Sequence, residues 1–164
     1  MKKIIVTGCS SGIGYFIAEN LIKSGYKVVG LSRNEPKEKY NFDFEKCDVR
    51  NFDSVKSFFS KIKKDKDIYG LLNIAGVASM NLLVSTPDKT IQDIINTNLI
   101  GTIYCVKEVI PCFVRSQVGR IINFSSFAVK IGLQGESVYV ASKAGVEGFT
   151  RSIARELASF NVTV

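Results

Sequence analysis

The chain has no histidine, and its four cysteines form no CxxC pair. Histidine and paired cysteines supply most zinc ligands, so the usual zinc sites are excluded and we expect no bound metal. The sequence also lacks any run of about 18 apolar residues, the length that a membrane-spanning helix needs. No low-complexity stretch and no repeat period is present, so we expect an ordinary globular domain that does not span a membrane.

The cysteines are typical of a buried core. Cys105 and Cys112 lie seven positions apart, on one face of a predicted helix, where small apolar side chains pack. Free thiols of this kind fit a reducing compartment. The apolar run near the N-terminus, Ile4–Val6, is too short for a signal peptide because Thr7 and Gly8 end it. The sequence therefore predicts a cytoplasmic protein.

Acidic residues are in the minority. There are 22 basic and 15 acidic residues, which gives a net charge of +7. Such a surface favours an anionic partner: a phosphorylated cofactor, an acidic carrier protein or nucleic acid. The only basic cluster, Lys61 to Lys66, alternates with aspartates at a predicted helix end, where cations suit the helix dipole. We therefore expect a solvated helix end there and no nucleic-acid binding.

Short apolar runs alternate with stretches of helical spacing along the whole chain. Thr86 and Pro87 predict one helix start, with a hydroxyl N-cap and proline in the first turn. Gly25 stands where a left-handed helix cap belongs. The pattern predicts strands at 3–7, 27–31, 42–47, 68–74, 119–125 and 161–164, and helices at 12–24, 51–64, 86–115 and 137–160.

This alternation predicts an α/β fold: a doubly wound, Rossmann-like parallel sheet with helices on both faces. We expect residues 1–164 to form a single dinucleotide-binding domain. In such folds the ligand lies outside the carboxyl ends of the strands.

The segment Thr7–Gly14, TGCSSGIG, joins the first strand to the first helix. Its glycines permit a tight turn and a close ligand, and the N–H groups of the helix start suit a pyrophosphate. The spacing is G-x3-G-x-G and not the usual G-x-G-x-x-G fingerprint, so an ordinary glycine-rich turn is the alternative. The second strand ends at Ser32-Arg33 without the carboxylate that favours NAD, so NADP is preferred over NAD. Otherwise Arg33 is merely a surface residue.

Tyr139 and Lys143 are four apart near a helix start, so both side chains face one site. A nearby ammonium favours the phenolate form of a tyrosine. The YxxxK pattern also arises by chance, but Ser126 follows a strand at its carboxyl end, where a hydroxyl can bond a substrate carbonyl. Asn98 is a poor residue for a helix interior unless its amide has a task; the alternative is an exposed or locally bonded amide.

Together these motifs resemble the short-chain dehydrogenase/reductase family over essentially the whole chain. Thr7–Gly14 resembles its cofactor loop, Asp48-Val49 its adenine-contacting pair, and Asn73–Gly76 its NNAG segment with Ile74 in place of the second asparagine. Asn98, Ser126, Tyr139 and Lys143 match its catalytic tetrad in order. The resemblance implies cofactor contacts at Thr7, Gly8, Ser10, Ser11, Gly12, Ile13, Gly14, Ser32, Arg33, Asp48, Val49, Asn73, Ala75, Gly76, Tyr139 and Lys143.

The resemblance also implies roles. Tyr139 would give a proton to a carbonyl oxygen while the nicotinamide gives hydride, and Ser126 would polarise that carbonyl. Lys143 would hold the nicotinamide ribose, and Asn98 would position a water that resupplies protons. Two long helices, 86–115 and 137–160, resemble the family's dimer-forming pair, which implies a homo-oligomer.

Within the family, Gly76–Leu83 and Arg151–Ala158 are similar to 3-oxoacyl-[acyl-carrier-protein] reductases of fatty acid biosynthesis. A carbonyl substrate on an acyl carrier protein is therefore expected. Sugar and polyol dehydrogenases share the same motifs and remain the alternative. Four arginines either face the acidic carrier or are simply solvated or ion-paired: Arg115, Arg120, Arg151 and Arg155. Family members continue beyond Val164, so we expect an incomplete C-terminus; a cofactor-binding module without turnover is the other possibility.

Overall fold

A computed structural model describes all residues, 1–164. Its centre is one sheet of six parallel strands in the order β3-β2-β1-β4-β5-β6. The order reverses between β1 and β4, which is the switch point of a doubly wound fold, so the predicted fold class is confirmed. The strands are β1 (Lys3–Thr7), β2 (Lys27–Ser32), β3 (Asp43–Lys46), β4 (Ile68–Asn73), β5 (Gly119–Asn123) and β6 (Val162–Thr163).

The chain forms six α-helices. Gly25, just after the first of them, has a φ of +83°, as predicted for a left-handed cap. Single 3₁₀ turns occur at Leu83–Ser85 and Ala158–Phe160. The helices are α1 (Gly12–Lys23), α2 (Phe52–Ile62), α3 (Asp88–Ile95), α4 (Gly101–Ser116), α5 (Ala128–Ile131) and α6 (Ser137–Leu157). The sheet is covered by α1 on one face and by α2, α4 and α6 on the other.

The helix predicted at 86–115 differs from expectation at its start and in its interior. Pro87 occupies the N-cap position and Thr86 does not cap, because its hydroxyl donates to the carbonyl of Leu82 at 3.0 Å. Between α3 and α4 the chain forms one π-helical turn, Asn96–Ile100. Helical periodicity did not reveal this turn. Such turns are rare and occur often at functional sites.

Each face of the sheet has its own apolar core. Ile5 and Leu71 point to the side of α2, α4 and α6, where Val106 and Phe113 are fully buried. Val6 points the other way, toward α1. All four cysteines are buried and free, as predicted. Adjacent strand residues thus alternate between two cores, which is why the central strands β1, β2 and β4 are largely apolar.

One helical stretch, Asp88–Ser116, is long and apolar enough by length and composition to cross a membrane. Half of its most apolar window is buried inside the fold. Core helices of globular proteins meet the same criteria, so this stretch is accounted for by its packing against α2, β4 and β5.

Candidate active site

A cavity of about 380 Å³ opens at the carboxyl edge of the sheet, beside the switch point between β1 and β4. Its position is the ligand crevice of a doubly wound fold. The predicted cofactor residues that line it are Gly8, Ser10, Ser11, Ile13, Gly14, Ser32, Arg33, Asp48, Val49, Ala75 and Gly76. The lining residues that sequence reasoning missed are Leu31, Asn34, Cys47, Ile74, Val77 and Thr97.

The glycine loop packs backbone against backbone. Gly8 has a φ of +75°, and a Cβ there would lie 2.7 Å from the Cα of Ala75. A Cβ on Gly14 would lie 2.2 Å from the carbonyl oxygen of Gly8. Gly8 therefore requires glycine for space and for conformation, and Gly14 requires it for space.

The start of α1 leaves its donors free. Ser11 is the N-cap residue, but its side chain makes no capping hydrogen bond, and no acidic residue occupies the first turn. The first N–H groups of a helix have no partner within the helix and favour an anion. Since Ser10, Ser11 and Gly14 line the cavity, its chemistry fits the pyrophosphate of a dinucleotide.

Five predicted cofactor residues do not line the cavity: Thr7, Gly12, Asn73, Tyr139 and Lys143. The Thr7 hydroxyl is buried and accepts hydrogen bonds from the N–H groups of Ile74 at 3.0 Å and Ala75 at 3.1 Å. Asn73 is also buried and donates to Asn123 Oδ1 at 2.8 Å. Thr7 and Asn73 therefore fix the loops that border the cavity from behind.

Ser32 and Arg33 differ in what they can offer a ligand. Ser32 is buried and its hydroxyl donates to the carbonyl of Asn34, so that hydrogen is already used. The exposed Arg33 lines the cavity and forms no ion pair. A guanidinium in that position can bind a phosphate with two donors. Arg33 is thus the free cationic group at this wall.

Asp48, on the same side of the cavity, is held by Arg50. Arg50 Nε and Nη2 lie 3.0 and 2.8 Å from the two Asp48 carboxylate oxygens. These hydrogen bonds hold the pKa of Asp48 below its ordinary value, with smaller electrostatic contributions from Arg50 and Arg33. The carboxylate is therefore ionised at neutral pH and remains an acceptor.

The π-helical turn places the amide of Asn98 in the interior, where it is 1% exposed. Its Oδ1 accepts from the N–H of Val77 at 2.8 Å, and its Nδ2 donates to the carbonyl of Val77 at 2.9 Å. Nδ2 also donates to the hydroxyl of Ser142 at 3.0 Å. Asn98 therefore joins the cavity wall at Val77 to helix α6, and it is neither exposed nor locally bonded.

Helix α6 carries Tyr139 and Lys143 on one face. Lys143 Nζ lies 5.9 Å from the centre of the Tyr139 ring and donates to the carbonyl of Phe124 at 2.7 Å. A Cβ on Gly76 would lie 3.7 Å from Lys143 Nζ and 3.4 Å from Asn98 Oδ1. Lys143 and Asn98 therefore both lie next to Gly76, which lines the cavity. Tyr139 lies one helical turn before Lys143 on α6.

Ser126 lies between β5 and α5 and is half-buried. Its hydroxyl oxygen accepts from the N–H of Ala128 at 3.2 Å, and its hydrogen has no acceptor in the structure. The neighbouring Ser125 donates to Glu147 at 2.7 Å. Of the two serines, only Ser126 therefore retains a hydroxyl hydrogen for a substrate oxygen.

Because Lys143 is buried, we expect the free energy of unfolding to depend on pH. Lys143 is 6% exposed, and burial lowers its pKa from the ordinary value of 10.5. Between the lowered pKa and 10.5 the unfolded chain binds more protons, so the contribution of Lys143 to folding becomes more favourable as pH rises. Urea unfolding from neutral pH to pH 10 should show the stability of wild type rising relative to that of Lys143→Met.

The difference between the two proteins isolates Lys143. Burial raises the pKa of all four thiols, so their contribution to stability is lost as pH rises above about 9 in both proteins. A difference in unfolding free energy that stays constant across this range would contradict the prediction.

The four arginines considered for a carrier protein are not grouped around the cavity. Arg115 lies near the end of α4 and Arg120 near the start of β5, so both are at the amino-terminal edge of the sheet, opposite the cavity. Arg151 pairs with Glu147 at 3.8 Å. Arg155 is exposed near the end of α6.

Comparison with known proteins agrees with this geometry. The family model for short chain dehydrogenases matches residues 2–164. The chain is 37% identical to 3-oxoacyl-[acyl-carrier-protein] reductase of Buchnera aphidicola, covering 97% of this chain and 68% of that protein. It is 39% identical to the Vibrio harveyi reductase of the same name, covering 99% and 70%.

Two solved structures share the fold. The ligand-free aldohexose dehydrogenase of Thermoplasma acidophilum has a TM-score of 0.92 at 40% identity, covering 98% of this chain and 63% of that one. A metagenomic short-chain oxidoreductase in complex with NADP has a TM-score of 0.89 at 27% identity, with coverages of 98% and 78%. The chain thus spans about two thirds of several relatives, and it belongs to the short-chain dehydrogenase family of oxidoreductases.

Proposed function

We propose that the complete protein reduces a carbonyl to an alcohol by hydride transfer from NADPH, and that its substrate is a 3-oxoacyl group on an acyl carrier protein. The observation that carries the proposal is the meeting of Lys143 and Asn98 beside Gly76 on the wall of the cavity. Proton-handling groups thereby adjoin a site whose free helix N–H groups suit a dinucleotide.

Bound NADPH supplies the hydride for the substrate carbon. Tyr139 donates the proton to the carbonyl oxygen as general acid, and Ser126 polarises that oxygen with its free hydroxyl hydrogen. Lys143 provides a positive charge next to Tyr139 and holds the nicotinamide ribose. Asn98 fixes the position of Val77 relative to α6 by its hydrogen bonds to both. In this proposal it also takes part in the resupply of protons.

Arg33 selects NADPH over NADH in this proposal. It is the unpaired cation at the cavity wall, and no carboxylate ends β2 to repel a 2′-phosphate. Arg33→Ala should weaken NADPH binding by roughly ten-fold or more while NADH binding changes little. Fluorescence titration with both cofactors measures this. Arg155→Ala, which removes an exposed arginine far from the cavity, serves as the matched control, and equal losses for both cofactors would contradict the role.

The acyl substrate is favoured over a sugar by apolar side chains near the site. Met80 and Leu82 follow β4, Phe127 directly precedes α5 and Ile131 is the last residue of α5; these four are 53–75% exposed. Such side chains suit a hydrocarbon chain, whereas a sugar requires several converging hydrogen-bond donors. The curated relatives named above are 3-oxoacyl reductases, which supports the same choice.

A second candidate, an aldose dehydrogenase, is favoured by the 40% identity to the Thermoplasma enzyme. The test is a panel of 3-oxoacyl thioesters, aldoses and polyols, each with NADP(H) and NAD(H), on the complete gene product. Turnover of aldoses alone would replace the first proposal by the second. If the protein binds the cofactor but turns over none of these substrates, both proposals are wrong and the protein is a cofactor-binding module.

We further propose an oligomeric state and a cellular location for the protein. We expect a cytoplasmic homo-oligomer formed through the helices at 86–115 and 137–160, with residues 1–164 acting as one dinucleotide-binding domain. Sedimentation of the complete protein tests the assembly, and a monomer at all concentrations would contradict it.

A further inference from the structure

The loop after β3 holds a carboxylate in a fixed orientation. Both oxygens of Asp48 receive donors from the side chain of Arg50, and Oδ1 also accepts from the backbone N–H of Arg50 at 3.0 Å. The backbone N–H of Asp48 in turn donates to the hydroxyl of Ser54 at 3.1 Å. Forked guanidinium–carboxylate pairs restrict the rotation of the carboxylate, so the outward lone pairs of Asp48 point in a defined direction.

Arg50 is itself fixed from the opposite side. Its Nη1 donates to Oδ1 of Asp93 on α3 at 2.8 Å, although the two residues are 43 positions apart in sequence. The side chains of Asp48, Arg50 and Asp93 are 30–41% exposed, so the group is neither buried nor freely solvated. With two carboxylates and one guanidinium it keeps a net negative charge, and Asp48 can still accept a hydrogen bond.

The position of this group in the fold indicates which part of a ligand it would meet. In doubly wound sheets a dinucleotide lies across the switch point, one mononucleotide on each half. Asp48 and the phosphate-selecting Arg33 follow β3 and β2, so they belong to the half that takes the adenosine. The exocyclic amino group of adenine is a donor that a carboxylate can accept, whereas the oxo group of hypoxanthine is an acceptor that it repels.

We propose that Arg50 and Asp93 are positioning residues that hold Asp48 toward the purine amino group and make the site selective for adenine over hypoxanthine. This inference rests on the proposed NADPH-dependent function. The Asp48–Arg50–Asp93 ion pairs would then orient a ligand-binding carboxylate in addition to joining the β3–α2 loop to α3.

The test compares the dissociation constants of NADPH and its hypoxanthine analogue by nicotinamide fluorescence. Wild type should bind NADPH roughly ten-fold more tightly than the analogue, as expected for one hydrogen bond to a charged acceptor. In Arg50→Met this preference should largely disappear through weaker NADPH binding. Arg50→Lys should restore part of it, and Asp93→Asn should retain only part of it.

The matched control is Lys61→Met, which removes the nearby surface ion pair between Lys61 of α2 and Glu45 of β3. It should leave the preference unchanged. An unchanged preference in Arg50→Met, or equal weakening for both cofactors, would overturn the positioning role. Failure of wild type to bind either cofactor would instead overturn the proposed function.

Discussion

Tyr139→Phe should lower kcat/KM for carbonyl reduction by roughly 10²- to 10⁴-fold, the usual contribution of a general acid. The substitution removes only the hydroxyl, and the ring stays beside Lys143, whose Nζ is 5.9 Å from its centre. Tyr139 is half-buried in the first turn of α6 and belongs to neither apolar core, so the fold should be unaffected. NADPH affinity should therefore remain near that of wild type.

Steady-state kinetics and a cofactor titration on the complete gene product check this prediction. Tyr104→Phe is the matched control, because Tyr104 packs its ring against Phe52 of α2 and forms no side-chain hydrogen bond in the structure. It should retain activity. Near wild-type turnover in Tyr139→Phe would remove Tyr139 from the chemistry, and loss of cofactor binding would show that the residue acts in binding.

Gly14→Ala should damage both the fold and the cofactor site. The added Cβ would lie 2.2 Å from the carbonyl oxygen and 2.7 Å from the carbonyl carbon of Gly8, and backbone atoms cannot move aside as a flexible side chain can. We expect a loss of about 3 kcal/mol in unfolding free energy, as for severe overpacking. NADPH affinity should fall by roughly ten-fold or more, because a loop shift misaligns the phosphate donors.

Urea unfolding and a cofactor titration measure the two effects. Gly12→Ala is the control in the same loop, since no atom lies within 4 Å of a Cβ there. Its φ of +56° should still cost about 1 kcal/mol. If Gly12→Ala is as harmful as Gly14→Ala, then crowding by the Gly8 carbonyl is not what distinguishes position 14.

The strands could be placed along the chain because the central ones are short apolar runs that alternate with stretches of helical spacing; the edge strand β3, with the sequence DFEK, is an exception. Val6 and Ile5 illustrate the reason: adjacent side chains enter opposite cores, so both must be apolar. Strand limits were off by one or two residues, as for β3, which spans Asp43–Lys46 against the predicted 42–47. Limits of this size depend on pairing between strands, which no local pattern records.

The candidate site was predictable as a set of motifs and not as a set of contacts. Thr7 and Asn73 belong to motifs of the cofactor site, yet they stand behind the loops that line it. The bonds that put Thr7 there join residues 67 and 68 positions away. The pairing of Arg50 with Asp93 likewise crosses 43 positions. A single sequence carries no signal for such distant pairs. The four-residue helix Ala128–Ile131 was also missed, because it is too short to show a period.

The π-helical turn at Asn96–Ile100 acts as a phase shift within the helical stretch from Asp88 to Ser116. One residue more than an α-helical turn rotates everything on one side of it by about 100° relative to the other. The hydroxyl of Thr102 donates to the carbonyl of Asn98 at 2.8 Å and so satisfies an acceptor at the irregularity. Deleting one residue here would give a regular helix, and α3 and α4 could then no longer both present their apolar faces inward while Asn98 faces Val77. The placement of Asn98 near Lys143 thus depends on the one extra residue in this turn. The number of residues in the turn is as important as which residues they are.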